Sequence, residues 1–125
     1  DGVCIAFFEL HNMGERADFD TAVSTAAGLP VWVNHIAFGA TEERQRAVRE
    51  RLDAAGIEPL MDIDHGWCHS LYYLDPNNIM IEFCRDTPGI EADPATAHEL
   101  LTATSRPRPA AKVTLHEGAS HAPTP

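Results

Sequence analysis

Five short stretches rich in apolar and β-branched residues predict β-strands, because their lengths and compositions are typical of strands. The predicted strands are Val3–Leu10, Val31–Phe38, Ile57–Ile63, Cys68–Leu74 and Ile79–Cys84. The third is weakened by Pro59, which cannot donate a backbone hydrogen bond to a sheet. Asp-Pro-Asn-Asn at positions 75–78 predicts a tight turn between the last two strands.

A different periodicity follows the second strand and predicts a helix. Val48, Leu52 and Ala55 recur at helical spacing. Thr41 can cap the start of this helix, and Gly56 follows where a left-handed residue commonly ends one. We therefore expect one amphipathic helix between the second and third strands.

These elements predict an α+β fold with a βαβββ module at residues 31–88. The sequence of Gly2–Phe7 is similar to that of Asn78–Phe83, and aligning the two stretches places Ala6 at the position of Glu82. We therefore interpret residues 1–10 as the final strand of a truncated first module, so the chain would begin part-way through a longer protein. Residues 11–30 are predicted to be a linker, and residues 89–104 are predicted to hold a short helix with His98 on its surface. Residues 105–125 are predicted to be a disordered tail, in which His116 and His121 make poor metal ligands.

Charge and composition exclude some classes of function. The formal net charge is −10, which argues against nucleic-acid binding, and the arginines of 44–51 alternate with acidic residues as on a solvated helix face. No apolar run is long enough to predict a membrane span, and no signal peptide is visible at the start. The three cysteines are widely spaced, without a CxxC pair, so we expect reduced thiols and a cytoplasmic protein.

Two polar residues interrupt otherwise apolar strands and are candidates for chemistry. Glu82 lies between Ile81 and Phe83, where a charged group is costly unless it is paired or binds a metal. His35 occupies a similar position in the second strand. An imidazole and a carboxylate on one face of a sheet suit Fe(II), Mn(II), Ni(II) or Zn(II). The alternatives are a solvent-facing glutamate and a histidine with a purely structural role.

A histidine in the second strand and a glutamate in the last one, within this order of elements, resemble the vicinal oxygen chelate superfamily. This superfamily includes glyoxalase I, fosfomycin- and bleomycin-resistance proteins and extradiol ring-cleavage dioxygenases. The stretch from residue 63 to 82 is most similar to the dioxygenases, with His65, Leu71-Tyr72, Asp75-Pro76 and Glu82 at compatible spacing. Asn78 departs from the Gly or Pro of that pattern, although asparagine also tolerates a left-handed turn.

The resemblance implies a metal-dependent enzyme with a small, catecholic substrate. His35 and Glu82 would bind the metal, most consistently Fe(II), with a third ligand, a histidine, upstream of Asp1. His65 would act as acid–base group and Tyr72 as a hydrogen-bond donor to the substrate. A turn histidine and a cross-strand aromatic residue are their structural alternatives.

Other members of the superfamily suggest two further functions. One is a glyoxalase-like isomerase or thiol transferase, and the other is a non-enzymatic binding protein of the bleomycin-resistance type. A second chain could also complete the site in a homodimer, because modules of this superfamily pair between subunits.

Overall fold

The structure, a computed structural model, describes residues 5–6, 20–105 and 111–116. Within these residues the helices are α1 (Val23–Ala26), α2 (Glu42–Ala54) and α3 (Pro94–Thr102), with a 3-10 turn at Val31–Val33. The strands are β1 (His35–Gly39), β2 (Met61–Asp64), β3 (Cys68–Leu74), β4 (Met80–Asp86) and β5 (Lys112–Leu115).

The five strands form one mixed sheet, so the described part of the chain is an α+β fold. The strand order is β1-β4-β3-β2-β5, in which β1 runs parallel to β4 and the other pairs are antiparallel. Residues alternate between the two faces of each strand. We call one face the Glu82 face and the other, against which α2 packs, the helix face. The Glu82 face includes His35, Ala37, Ser70, Tyr72, Met80, Glu82 and Cys84.

Helix α2 begins and ends as the sequence predicts. The Thr41 hydroxyl accepts a hydrogen bond from the backbone N–H of Arg44 at 3.2 Å. Gly56 follows the helix with a φ of +73°, a conformation that glycine adopts without steric cost.

A buried glutamine attaches α2 to the sheet. The side-chain amide of Gln45 donates to the backbone carbonyls of His69 on β3 (2.8 Å) and Phe83 on β4 (2.7 Å). Gln45 is the buried residue of this helix, whereas Val48 and Leu52 are only half-buried. A polar side chain therefore connects this helix to the sheet, although the apolar periodicity alone indicates that a residue such as Leu52 would be the most buried one.

Ion pairs on the helix face add a second connection between α2 and the sheet. On β2, Asp62 Oδ2 lies 3.2 Å from Nη1 of Arg49 on the helix. The other carboxylate oxygen, Oδ1, lies 2.7 Å from Nε2 of His69 on β3. His69 therefore lies on the face opposite Tyr72, as strand alternation predicts, and its role there is structural.

The boundaries of two predicted strands are corrected by the structure. The stretch predicted as a strand from Val31 begins with a 3-10 turn, because the N–H of Val33 donates to the carbonyl of Pro30 (3.0 Å), and β1 begins only at His35. The predicted strand from Ile57 begins at Met61, since Pro59 interrupts the ladder and the first bond beyond it joins Leu60 N–H to the Tyr72 carbonyl at 2.7 Å.

The C-terminal segment also differs from the expectation of a disordered tail over 105–125. Lys112–Leu115 forms β5 along the outer edge of β2, with Val113 opposite Ile63 and Leu115 opposite Met61. The four residues alternate polar and apolar side chains, and pairing satisfies an edge that would otherwise expose unpaired backbone groups. His116, at the end of this strand, is half-buried.

The remaining predictions are partly outside the described residues. The predicted first strand, 3–10, falls there except for residues 5–6, as do residues 11–19 of the predicted linker, Cys4 and His121, whereas the rest of the linker holds α1. The predicted short helix of 89–104 is confirmed as α3, on which His98 is exposed. Among the described residues, no helix combines the length and apolar character needed to cross a lipid bilayer.

We predict that Gln45→Leu lowers the free energy of unfolding by about 2 kcal/mol, because two buried carbonyls lose their donor. Urea unfolding followed by circular dichroism measures this change. The matched control is Arg46→Leu on the exposed side of the same helix, which should change stability by less than about 0.5 kcal/mol. Equal effects of the two substitutions would show that Gln45 does not anchor the helix.

Candidate metal centre

The His35 side chain is oriented by the turn that precedes β1. Its Nδ1 lies 2.8 Å from the backbone carbonyl of Trp32, which belongs to the 3-10 turn. A carbonyl can only accept, so Nδ1 carries the proton and donates it there. The other ring nitrogen, Nε2, is directed at Glu82 Oε2 over 3.0 Å.

Glu82 is buried in the middle of β4 with both carboxylate oxygens engaged. Only 7% of the residue is exposed. Oε1 accepts a hydrogen bond from the Ser70 hydroxyl on β3 at 2.5 Å, while Oε2 faces His35. Ser70 is fully buried, so this hydroxyl has no competing water and holds the carboxylate toward β1.

Strand pairing explains how His35 reaches Glu82. The residue directly opposite Glu82 on β1 is Ala37, and His35 is opposite Met80. His35 and Glu82 are therefore diagonal neighbours on one face, and the small side chain of Ala37 leaves the imidazole room to lean across.

The contact between His35 Nε2 and Glu82 Oε2 requires a proton or a metal ion between its two atoms, because neither a carboxylate oxygen nor an unprotonated ring nitrogen donates. The proton can belong to the imidazole or to the carboxyl group. Two ligands that each lie about 2.1 Å from a metal, at a right angle, are about 3 Å apart. The observed 3.0 Å is compatible with both arrangements, so this imidazole and carboxylate fit a divalent metal as two of its ligands.

Tyr72 lies beside Glu82 on β3 and is kept protonated. The two residues are directly paired across the strands. Burial, together with the nearby Glu82 carboxylate, raises the pKa of the Tyr72 phenol to about 12. At neutral pH the phenol is therefore a hydrogen-bond donor on the same face as His35, whose ring it meets edge-on at 6.4 Å.

His65 approaches the same place from the turn between β2 and β3. Its Nε2 is 3.4 Å from the Tyr72 hydroxyl, at the long end of hydrogen-bond distance. The imidazole also packs against Trp67 with ring centroids 5.9 Å apart. Trp67 is 60% exposed, which places this ring pair at the solvent side of the site.

Two thiols lie on the Glu82 face next to Ser70. Cys84 is directly opposite Ser70 in the β3–β4 pairing, and the sulfur of Cys68 is 3.8 Å from the Ser70 hydroxyl. Burial raises the pKa of the Cys68 thiol to about 11, so it is protonated at neutral pH. Cys68 is thus a small, fully buried side chain that packs beside Ser70.

The structure brings together all four residues singled out from the sequence: His35, His65, Tyr72 and Glu82. It adds Ser70, which the sequence interpretation missed. Strand alternation in CHSLYYL could have placed Ser70 on the Tyr72 face, but its pairing with Glu82 depends on the register between β3 and β4.

Among the described residues, no group of three or more His, Cys, Asp or Glu side chains could hold a metal ion.

Comparison of the chain with protein-family models, with curated proteins and with solved structures found no match.

We predict that Tyr72 makes stability fall at alkaline pH. An unfolded tyrosine loses its proton near pH 10, whereas Tyr72 in the folded chain keeps it up to about pH 12. The unfolded state therefore binds fewer protons in this interval, and the free energy of unfolding decreases as pH rises from about 10 to 12. Below pH 10 this contribution is fully present.

Urea unfolding of the wild type and of Tyr72→Phe between pH 9 and 11.5 measures this effect. The phenylalanine variant should show a shallower loss of stability over this range. Tyr73 is present in both proteins, so its own raised pKa cancels in the comparison. Parallel stability curves for the two proteins would contradict a raised pKa at Tyr72.

Proposed function

We propose that this chain is part of a metal-dependent enzyme of the vicinal oxygen chelate type, in which His35 and Glu82 are two ligands of a divalent metal. The reaction we favour is extradiol-type cleavage of a small catecholic aromatic compound, with Fe(II) as the metal. The observation that carries this proposal is the 3.0 Å approach of His35 Nε2, on a partly exposed imidazole, to Oε2 of the buried Glu82 carboxylate.

Hydrogen bonds around the two ligands support a metal-binding role. Metal-binding histidines commonly donate their second N–H to a carbonyl or carboxylate, and metal-binding carboxylates are themselves hydrogen-bonded. His35 makes such a bond to the Trp32 carbonyl, and Glu82 makes one to the Ser70 hydroxyl. Both ligands are thus fixed in orientation before any metal binds.

The proposed third ligand comes from outside the described residues. It would be a histidine upstream of Asp1, or a residue of a second copy of the chain. Non-heme iron enzymes typically use two histidines and one carboxylate on one side of the metal, which leaves other positions open to substrate and O₂. His35 and Glu82 supply one of each kind.

Two other residues would handle the substrate and its protons. The chemistry that Fe(II) supplies when bound is chelation of both catechol oxygens and activation of O₂. The Tyr72 phenol, protonated up to about pH 12, can donate to a substrate oxygen. His65, 3.4 Å from that phenol, would accept a substrate proton and return it, because an imidazole nitrogen can act as a general base and then as a general acid.

A metal-free binding protein is the second candidate function. The observation that favours it is the same His35–Glu82 contact, because a proton alone would complete it without any metal. In that case the Glu82 face would be a polar binding surface without catalysis. Metal binding separates the two candidates.

We predict that the full-length protein, in which the proposed third ligand is present, binds Fe(II) under anaerobic conditions and that His35→Ala and Glu82→Ala each weaken binding at least tenfold. Ser70→Ala should weaken it about tenfold, because it releases the carboxylate without removing a ligand. Isothermal titration with elemental analysis measures the affinity and stoichiometry. The matched controls are His98→Ala and Glu99→Ala on the exposed helix α3, which should leave binding unchanged.

Equal losses in the control variants, or no metal bound by the wild type, would favour the metal-free binding protein. Where iron is bound, oxygen uptake with a panel of catechols tests the reaction itself. Uptake that depends on His65 and Tyr72 supports ring cleavage. Bound iron without uptake for any catechol would count against ring cleavage and favour an isomerase or thiol transferase.

A further inference from the structure

A groove on the helix face lies on the opposite side of the sheet from His35 and Glu82. Its floor is formed by Phe38 on β1 and Phe83 on β4, which are directly paired across the parallel strands. Their rings stack with centroids 6.0 Å apart and planes 27° from parallel. Phe38 remains 36% exposed, so this aromatic floor is accessible from the groove.

One side of the groove is formed by helix α2. Ala47 and Val48 of this helix line the groove together with the two phenylalanines. The cavity volume is about 370 Å³. Pockets for small organic molecules have volumes of roughly 300–1,000 Å³, so the groove is large enough for one such ligand.

Two arginines give the groove a charge opposite to that of the whole chain. Arg44 and Arg51 both line it, and their separation by two helical turns places them on one side of α2, at either end of the apolar wall. The formal net charge of the chain is −10. A pair of guanidinium groups beside an aromatic floor therefore favours an anion with an apolar body.

The neighbouring cations of the described residues have different roles. Arg49 is paired with Asp53 and Asp62, and Arg85 lies 3.5 Å from Glu42. The Arg49–Asp53 contact lies within α2, whereas the contacts of Arg49 with Asp62 and of Arg85 with Glu42 join α2 to the sheet. Arg44 and Arg51 line the same apolar cavity as the two phenylalanines, which is an arrangement typical of a site for an anion with an apolar body.

We propose that this groove binds a small aromatic monocarboxylate. The aromatic ring would lie against Phe38 and Phe83, and the carboxylate would receive hydrogen bonds from one of the two guanidinium groups. Arginine suits this role because its planar group binds both oxygens of a carboxylate and also stacks on aromatic rings. The site is separate from the proposed metal centre and does not depend on it.

The experiment is a titration of the full chain with 2-naphthoate, followed by NMR. Saturable shifts are expected for Ala47, Val48 and Phe38, while the Met80 methyl on the Glu82 face stays unchanged. The neutral analogue 2-naphthamide should bind at least fivefold more weakly, because it lacks the charge.

Variants of α2 identify the guanidinium groups involved. Arg44→Gln and Arg51→Gln together should weaken naphthoate binding at least fivefold. The matched control is Arg46→Gln, which removes the same charge from the same helix outside the groove. Circular dichroism checks that each variant keeps the wild-type helix content.

Several results would overturn the proposal. These are absence of saturation, equal binding of naphthamide, and equal losses in Arg46→Gln and in the groove variants. Shifts confined to the Glu82 face would place the ligand elsewhere. Shifts at Ala47 and Val48 that depend on protein concentration without ligand would show that a second copy of the chain occupies the groove.

Discussion

The buried carboxylate of Glu82 is the constraint on which the arrangement of the sheet depends. An unpaired charge in such a position is strongly unfavourable, so both oxygens need partners. Ser70 supplies one from β3 and His35 supplies the other from β1. Glu82 reaches both partners because β4 lies between β1 and β3, and a one-residue shift in the register of β4 would place Glu82 on the opposite face from both of them.

The same sheet keeps two kinds of chemistry apart. On one face, imidazole, carboxylate, phenol and hydroxyl groups lie within contact of one another around Glu82. On the other, Gln45 and Asp62 attach α2 to the strands, and the groove beside Phe38 lies at the edge of that contact. Because successive residues point to opposite faces, a single strand such as β4 contributes Glu82 to one site and Phe83 to the other.

Much of this arrangement could be predicted from local sequence. Strand β3 was predicted with the observed ends, and Asn78 has the left-handed conformation that its place in the turn requires, with a φ of 58°. Strand alternation alone is enough to put Tyr72 and His69 on opposite faces, as observed. These features depend on a few consecutive residues, so the sequence pattern contains the information.

What could not be predicted depends on contacts between distant segments. The role of Ser70 follows from the β3–β4 register, and β5 pairs with β2 across a long stretch of intervening chain. The 3-10 turn at Val31–Val33 was missed because an apolar run predicts a strand, whereas Pro30 and the bond from Asn34 N–H to the Ser24 hydroxyl favour a turn. That turn matters, since its Trp32 carbonyl orients His35.

The most direct test of the central claim is the ¹⁵N NMR spectrum of the His35 imidazole during titration with Zn(II), which is diamagnetic. We expect the Nε2 resonance to shift on metal binding while Nδ1 keeps the shift of a protonated nitrogen bonded to a carbonyl, and we expect Glu82→Gln to weaken the response. An unchanged Nε2 resonance at saturating Zn(II) would contradict the account, because His35 would then not be a metal ligand.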